Sequence, residues 1–285
     1  MNTALEKALE ILKIEDFSQE TFTKLILDIS YGCIENVKAT IEKSEAGVIF
    51  QTDKNGFSLL HLAVKANQID IVLLLLEHGA EINARCKRGT TPLHVAVDFN
   101  NVEIINILAE HGANIDAKSN LWQTPLLLAV NKGQPNVAKL LIEHGASIDF
   151  KNADEETALH IAIRYNQVHM TAILIESGAD VQAQDSYGFT ALSAIMRYQR
   201  WEILEVVISN GVNINAPLTG PLFYNGKFLS NEVVRRNDYN LIKMIIQDKI
   251  SLLSKNNQGE TPLEFSLKNY RMNAAKQMMF RSFDV

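Results

Sequence analysis

The chain has 285 residues, of which 47% are hydrophobic and 21% charged, and its formal net charge is −6. That balance is ordinary for a folded soluble protein, and its sign argues against nonspecific attraction to nucleic acid. The longest apolar run, Ile71 to Leu76, falls far short of a helical membrane span, and Cys33 and Cys86 alone imply no disulfide framework or thiolate metal cluster.

The amino terminus, with Asn2, Thr3 and Glu6, lacks the basic and then apolar pattern of a secretory signal, so a cytoplasmic protein is expected. Thr3 and Glu6 have the spacing of a capping box, which predicts an amphipathic helix over residues 1–17 carrying Leu5, Leu9 and Leu12. Residues 18–52 read as a degenerate first repeat, with Leu25, Ile29, Gly32, Ile34, Val37 and Ile41 in phase with the clearer repeats downstream.

From Asp53 onwards the chain repeats itself every 33 residues. Glycines recur at Gly79, Gly112, Gly145, Gly178 and Gly211, leucines at Leu60, Leu93, Leu126, Leu159 and Leu192, and alanines at Ala63, Ala96, Ala129 and Ala162. A single-core enzyme has no reason to keep such a ruler. A stack of like supersecondary units does, because every unit offers its neighbours the same face. Within a unit, Thr91 and Thr124 suit a helix N-cap and Pro92 and Pro125 the first helical position. The first helix should run about eight residues, turning its leucine and alanine inward. It should stop near Asn67, Asn100, Gly133 and Asn166, residue types that tolerate the left-handed conformation. A longer second helix, such as Ile69–Glu77, should stop at the glycine, and Ala80–Arg85 should lead into a hairpin-like loop. This gives five repeats over residues 53–217. Beyond them come a proline-bearing insertion (Pro217 to Leu222), a divergent repeat around Leu241, Ile242, Ile245 and Ile246, and a short capping repeat opened by the segment GETPLEFSL at 259–267.

The segments TTPLHVAV, QTPLLLAV and ETALHIAI, followed by EHGAEINA, EHGANIDA and EHGASIDF, resemble the ankyrin repeat in both period and motif. The resemblance is clear over residues 53–217 and implies an all-α solenoid of about seven stacked helix-turn-helix repeats with hairpin loops and an amino-terminal capping helix. It also implies that partners contact the hairpin tips and the exposed face of the first helix.

Seven histidines invite a metal or catalytic reading. Yet His61, His94 and His160 share one repeat position and His78, His111 and His144 another, which places them on successive layers about 10 Å apart, too far for shared ligation. They are expected to be structural, and neither cofactor nor metal is expected. Asn83 lies in a stretch that resembles the site of an asparagine hydroxylase in some ankyrin repeats; the plainer expectation is that it bonds the hairpin backbone. The carboxy-terminal Phe283-Asp284-Val285 is expected to be an unstructured end.

The departures from the repeat pattern are more pointed. The thirteenth and fourteenth residues of three repeats read Arg164-Tyr165, Arg197-Tyr198 and Arg235-Arg236, with Tyr187 and Phe189 in the hairpin of the same region and Trp122 earlier. Arginine and aromatic residues are the types enriched at binding hot spots, and a row of guanidinium groups suits carboxylates. The expected function is therefore a noncatalytic, monomeric protein-interaction scaffold that binds an acidic or aromatic-rich segment on the concave face of repeats 4–6, counted from Asp53. The opposing reading is a solvated face balanced by Asp154, Glu155 and Glu156. Stretches rich in Ile, Asn and Lys add the expectation of a host-directed effector of an intracellular bacterium. A different class, the targeting or regulatory portion of a larger enzyme, is the alternative; residues 217–255 offer it no histidine or cysteine. Neither nucleic acid nor membrane is expected as a partner.

Overall fold

A serine or threonine opens the first helix of each of the five repeats over residues 53–217, and from that residue the architecture can be built. The computed structural model describes residues 17–43, 47–214, 218–220 and 258–269, together with 233, 255, 271, 275, 276 and 278. The expected helix over residues 1–17, apart from Phe17, and the divergent repeat with Arg235 and Arg236, apart from Val233 and Lys255, lie outside the described residues, as does the carboxy-terminal tripeptide.

The chain divides into two compact units, residues 1–147 and 148–285. In the amino-terminal unit, α1 (Phe17–Ser30) and α2 (Ile34–Lys43) precede a short 3-10 turn at Val48–Phe50. Next come three helix pairs: α3 (Leu59–Lys65) with α4 (Ile69–Glu77), α5 (Pro92–Asp98) with α6 (Val102–Glu110), and α7 (Pro125–Asn131) with α8 (Pro135–Glu143). First helices form one layer, in which α5 packs between α3 and α7, while α4 packs on α6 in the second layer. In the carboxy-terminal unit α9 (Ala158–Arg164) pairs with α10 (Val168–Glu176), and α11 (Ala191–Tyr198) with α12 (Trp201–Ser209). There α9 packs on α11 and α10 on α12. Further along the chain α13 (Pro262–Lys268) is capped by Thr261 and Glu264. The all-helical repeat architecture expected from the sequence is what forms.

The inward alanines explain how the layers close up. Ala63, Ala96, Ala129 and Ala162 are wholly buried, and the leucines three residues before them are nearly so. A larger side chain at the alanine position would hold adjacent helices apart.

The repeated histidines turn out to be the rivets between layers. His61 Nδ1 accepts from the Ser58 backbone N–H at 3.2 Å, and its Nε2 meets the Thr90 carbonyl of the next repeat at 3.1 Å. His94 does the same with Thr91 and the Gln123 carbonyl (2.9 Å), and His160 with Thr157 and the Phe189 carbonyl (2.8 Å). In repeat 3 Leu127 takes the place of the imidazole. In repeat 5 the substitute is Ser193, whose hydroxyl accepts from the Thr219 backbone N–H at 2.7 Å.

The hairpins are joined by a second ladder. Asn83 Oδ1 accepts from the Asn114 backbone N–H at 2.8 Å, Asp116 from Ser147 at 2.9 Å, and, in the other unit, Asp149 from Asp180 at 2.9 Å. Asn83 therefore has the backbone-bonding role expected of it. Among the described residues the hairpin-like loops contain no strand, only an isolated bridge between Thr52 and Ser58. Within a unit, neighbouring loop tips are instead tied by one backbone bond: Lys87 N–H to the Asn55 carbonyl and Asn120 N–H to the Arg88 carbonyl, both at 3.0 Å, and, in the other unit, Ser186 N–H to the Asp154 carbonyl at 3.1 Å.

Candidate protein-interaction surface

The carboxy-terminal unit brings together five of the residues singled out in the sequence: Arg164, Tyr165, Tyr187, Arg197 and Tyr198. Each arginine sits in the last turn of a first helix, where it also suits the helix dipole. Arg164 ends α9 and Tyr165 is its C-cap, 54% exposed. Arg197 and Tyr198 end α11, and Tyr187 stands at the preceding loop tip, 63% exposed. That tip is shaped by Asp185, whose Oδ1 accepts from the backbone N–H groups of Tyr187 and Phe189, both at 2.9 Å.

The expected row of like arginines is not a row of equivalents. Arg164 Nη1 pairs with Glu156 Oε1 at 3.0 Å, and that carboxylate is itself held by Asn152 Nδ2 at 3.1 Å. The Arg164 guanidinium lies 5.0 Å from the Tyr165 ring, and its Nε is buried without a partner. Its charge is thus largely spent inside the protein, as the opposing reading held. Arg197 is different. Its guanidinium carbon lies 4.7 Å from the Phe189 ring, 5.2 Å from Tyr198 and 5.4 Å from Tyr187. Among the described residues no carboxylate pairs with it and no acceptor takes its N–H groups. Three aromatic faces hold the cation in place and leave its hydrogen-bonding edge open.

Phe189 corrects the sequence reading. It is 1% exposed rather than available to a partner, and its ring packs so closely on Gly220 that a methyl group there would meet it at 2.5 Å. Regular alternation would put both rings on one side, but Gly188 between them is left-handed (φ +76°) and turns the chain, so Tyr187 is exposed while Phe189 is buried. Phe189 acts on the surface only through Arg197. One comparison within the sequence carries the signal: Glu156 and Phe189 share a repeat position, as do Arg164 and Arg197. Where the fifth residue is glutamate the arginine is neutralised; where it is phenylalanine the arginine is stacked and left charged.

Trp122 belongs to the amino-terminal unit. It is 55% exposed, with the Lys118 Nζ 5.2 Å from its ring, and its φ of +56° is the left-handed conformation that Gly56 and Gly89 adopt at the same repeat position. Holding a tryptophan so costs about 1–2 kcal/mol. Leu121 beside it is 78% exposed. A cleft of about 380 Å³ in this unit is lined by Asn83, Arg85, Thr91, Asn114, Asp116, Ala117 and Lys118, a mixed-charge lining. Among the described residues no group of three or more histidine, cysteine or carboxylate side chains is placed to hold a metal ion.

A family model described as ankyrin repeats, in three copies, matches residues 4–86, 25–119, 81–152 and 126–217. A search of curated proteins gives no match.

Proposed function

The chain belongs to the ankyrin-repeat family, whose repeats are generally protein–protein interaction modules and typically noncatalytic scaffolds, and from that premise we propose that it binds an acidic segment of a partner protein on the first-helix face of its carboxy-terminal unit. The single observation that carries this reading is Arg197, a guanidinium held against three rings with no carboxylate paired to it among the described residues. A cation ordered in advance loses little freedom on binding, and its open edge suits a carboxylate side chain in bidentate geometry. Tyr165 and Tyr187 supply exposed apolar area for residues on either side of that carboxylate. The partner segment thus needs one well-placed acid with aromatic or aliphatic neighbours more than it needs a polyanionic run, since Arg164 already has Glu156. Within this proposal the protein is a monomeric cytoplasmic adaptor or effector.

An immobilised array of peptides, acidic and neutral, with and without flanking aromatic residues, tests the proposal against the full chain. Acidic peptides with aromatic neighbours should be retained, and Arg197→Ala should weaken them by about tenfold or more, the scale of a hot-spot residue. Glu156→Gln should strengthen binding, because it releases Arg164. Phe189→Glu should place a carboxylate beneath Arg197 and weaken binding as Arg197→Ala does. Retention of the same peptides by the Arg197→Ala protein at unchanged affinity would refute the proposal.

A further inference from the structure

A second surface, on the amino-terminal unit and independent of Arg197, has no role in that peptide binding. It is the row of loop tips formed by residues 53–56, 86–89 and 119–122. Backbone bonds fix the order of the tips. Lys87 N–H donates to the Asn55 carbonyl at 3.0 Å, Asn120 N–H to the Arg88 carbonyl at 3.0 Å, and Asn120 Nδ2 to the Lys87 carbonyl at 2.9 Å. Lys54, Lys87 and Arg88 are exposed on this row, and among the described residues none of them pairs with a carboxylate. Its one acidic residue, Asp53, already accepts from the backbone N–H groups of Asn55 and Phe57, both at 2.8 Å.

The last tip ends in Leu121 and Trp122, both of them exposed. The tip is braced from within. Ser119 Oγ accepts from the backbone N–H groups of Leu121 and Gln123 at 3.3 Å, and the Ser119 carbonyl accepts from Trp122 N–H at 3.1 Å. The ammonium of Lys118 sits against the tryptophan ring.

We propose that this row docks the protein peripherally on an anionic lipid surface, with Leu121 and Trp122 entering the interface and Lys54, Lys87 and Arg88 meeting the headgroups. Charge complementarity selects the class of surface, since local cations next to a bilayer add attraction residue by residue. The exposed apolar pair selects lipid over an acidic protein segment or nucleic acid. A partner protein would need a pocket to receive it, whereas the interface admits tryptophan and leucine without one. The net charge of −6 belongs to the whole chain; along this row Lys54, Lys87 and Arg88 outnumber the single carboxylate of Asp53. Among the described residues no helix is long and apolar enough to cross a membrane, and this mode of docking requires none.

Sedimentation of the full chain with vesicles of phosphatidylcholine alone, and of phosphatidylcholine with phosphatidylserine, tests the proposal. The protein should sediment with the anionic vesicles only, less so as salt rises, and its tryptophan emission should move to shorter wavelength. Lys87→Glu with Arg88→Glu, and separately Leu121→Ser with Trp122→Ser, should each reduce vesicle binding by at least about tenfold. These side chains are exposed, and an unchanged thermal melt of each variant would certify its fold. Failure to bind anionic vesicles, equal binding by the variants, or binding to soluble polyglutamate or duplex DNA in place of vesicles would overturn the proposal. None of these results depends on Arg197, so the two proposals fail separately.

Discussion

His61 shows how one side chain serves two repeats at once, and what that demands of its protonation. Burial pushes its imidazole down to about 4, against the opposing pull of the Thr90 carbonyl and of Asp53, with His94 adding to the depression. The geometry says why the neutral form is needed: Nδ1 accepts from Ser58, so the proton sits on Nε2, which donates to Thr90. A second proton would displace the Ser58 N–H from its acceptor. Burial lowers His94 in the same direction. Between about 4 and 6.5 the unfolded chain holds more protons than the folded one, so stability rises with pH there. The contribution is present above about 6.5 and is lost as pH falls towards 4. For His61 alone the loss is on the order of 3 kcal/mol. Urea unfolding at neutral pH and near pH 5 should show a marked decline, and His61→Leu should be less stable at neutral pH but should flatten the decline. A stability that stays level across that range would show that the imidazole is not held neutral.

At the level of elements, most of the repeat was legible because each layer meets the same constraints. Thr91 and Thr124 cap the helices the sequence assigns to them, and Asn67, Asn100, Gly133 and Asn166 carry the left-handed stops with φ of 54–64°. The site was less legible. Whether an arginine is free depends on a side chain eight residues earlier, folded back under the helix end, and periodicity does not report that direction. Glu156 under Arg164 and Phe189 beneath Arg197 become visible only when both positions are compared across repeats. The stop of α11 departs from its equivalents, since Gln199 adopts φ +58° where three others use asparagine and one glycine. A straight side chain in that conformation is strained, so Gln199→Gly should stabilise the protein by about 0.5–1 kcal/mol. A urea midpoint shifted upward at unchanged slope would bear this out, and a downward shift would mean that the glutamine makes compensating contacts.

Across the whole molecule, a chain of repeats spreads its stability over many local interfaces rather than one core. An interface is a short set of contacts that can be named, such as an alanine pair, a histidine rivet or a hairpin bond. Energies should then add where rivets share nothing and couple where they touch. His61 and His94 belong to successive layers of one unit, and His94 adds to the depression of His61. His61 and His160 lie in different units and bind different carbonyls, those of Thr90 and Phe189. Each single His→Leu change leaves a carbonyl of the next repeat without its donor and should cost about 1–3 kcal/mol. In a double-mutant cycle at neutral pH, the His61→Leu and His160→Leu losses should sum to within about 0.5 kcal/mol. The His61→Leu and His94→Leu pair should miss additivity by more than that, because the two changes loosen opposite faces of the same helical layer. Additivity in both pairs would mean that layers transmit nothing to one another, and strong coupling in the first pair would mean that stability is not local. Either result would also alter the expectation for binding. A surface built on Arg197 can be tuned without disturbing the tips around Trp122 only if strain introduced in one repeat dies away within its neighbours.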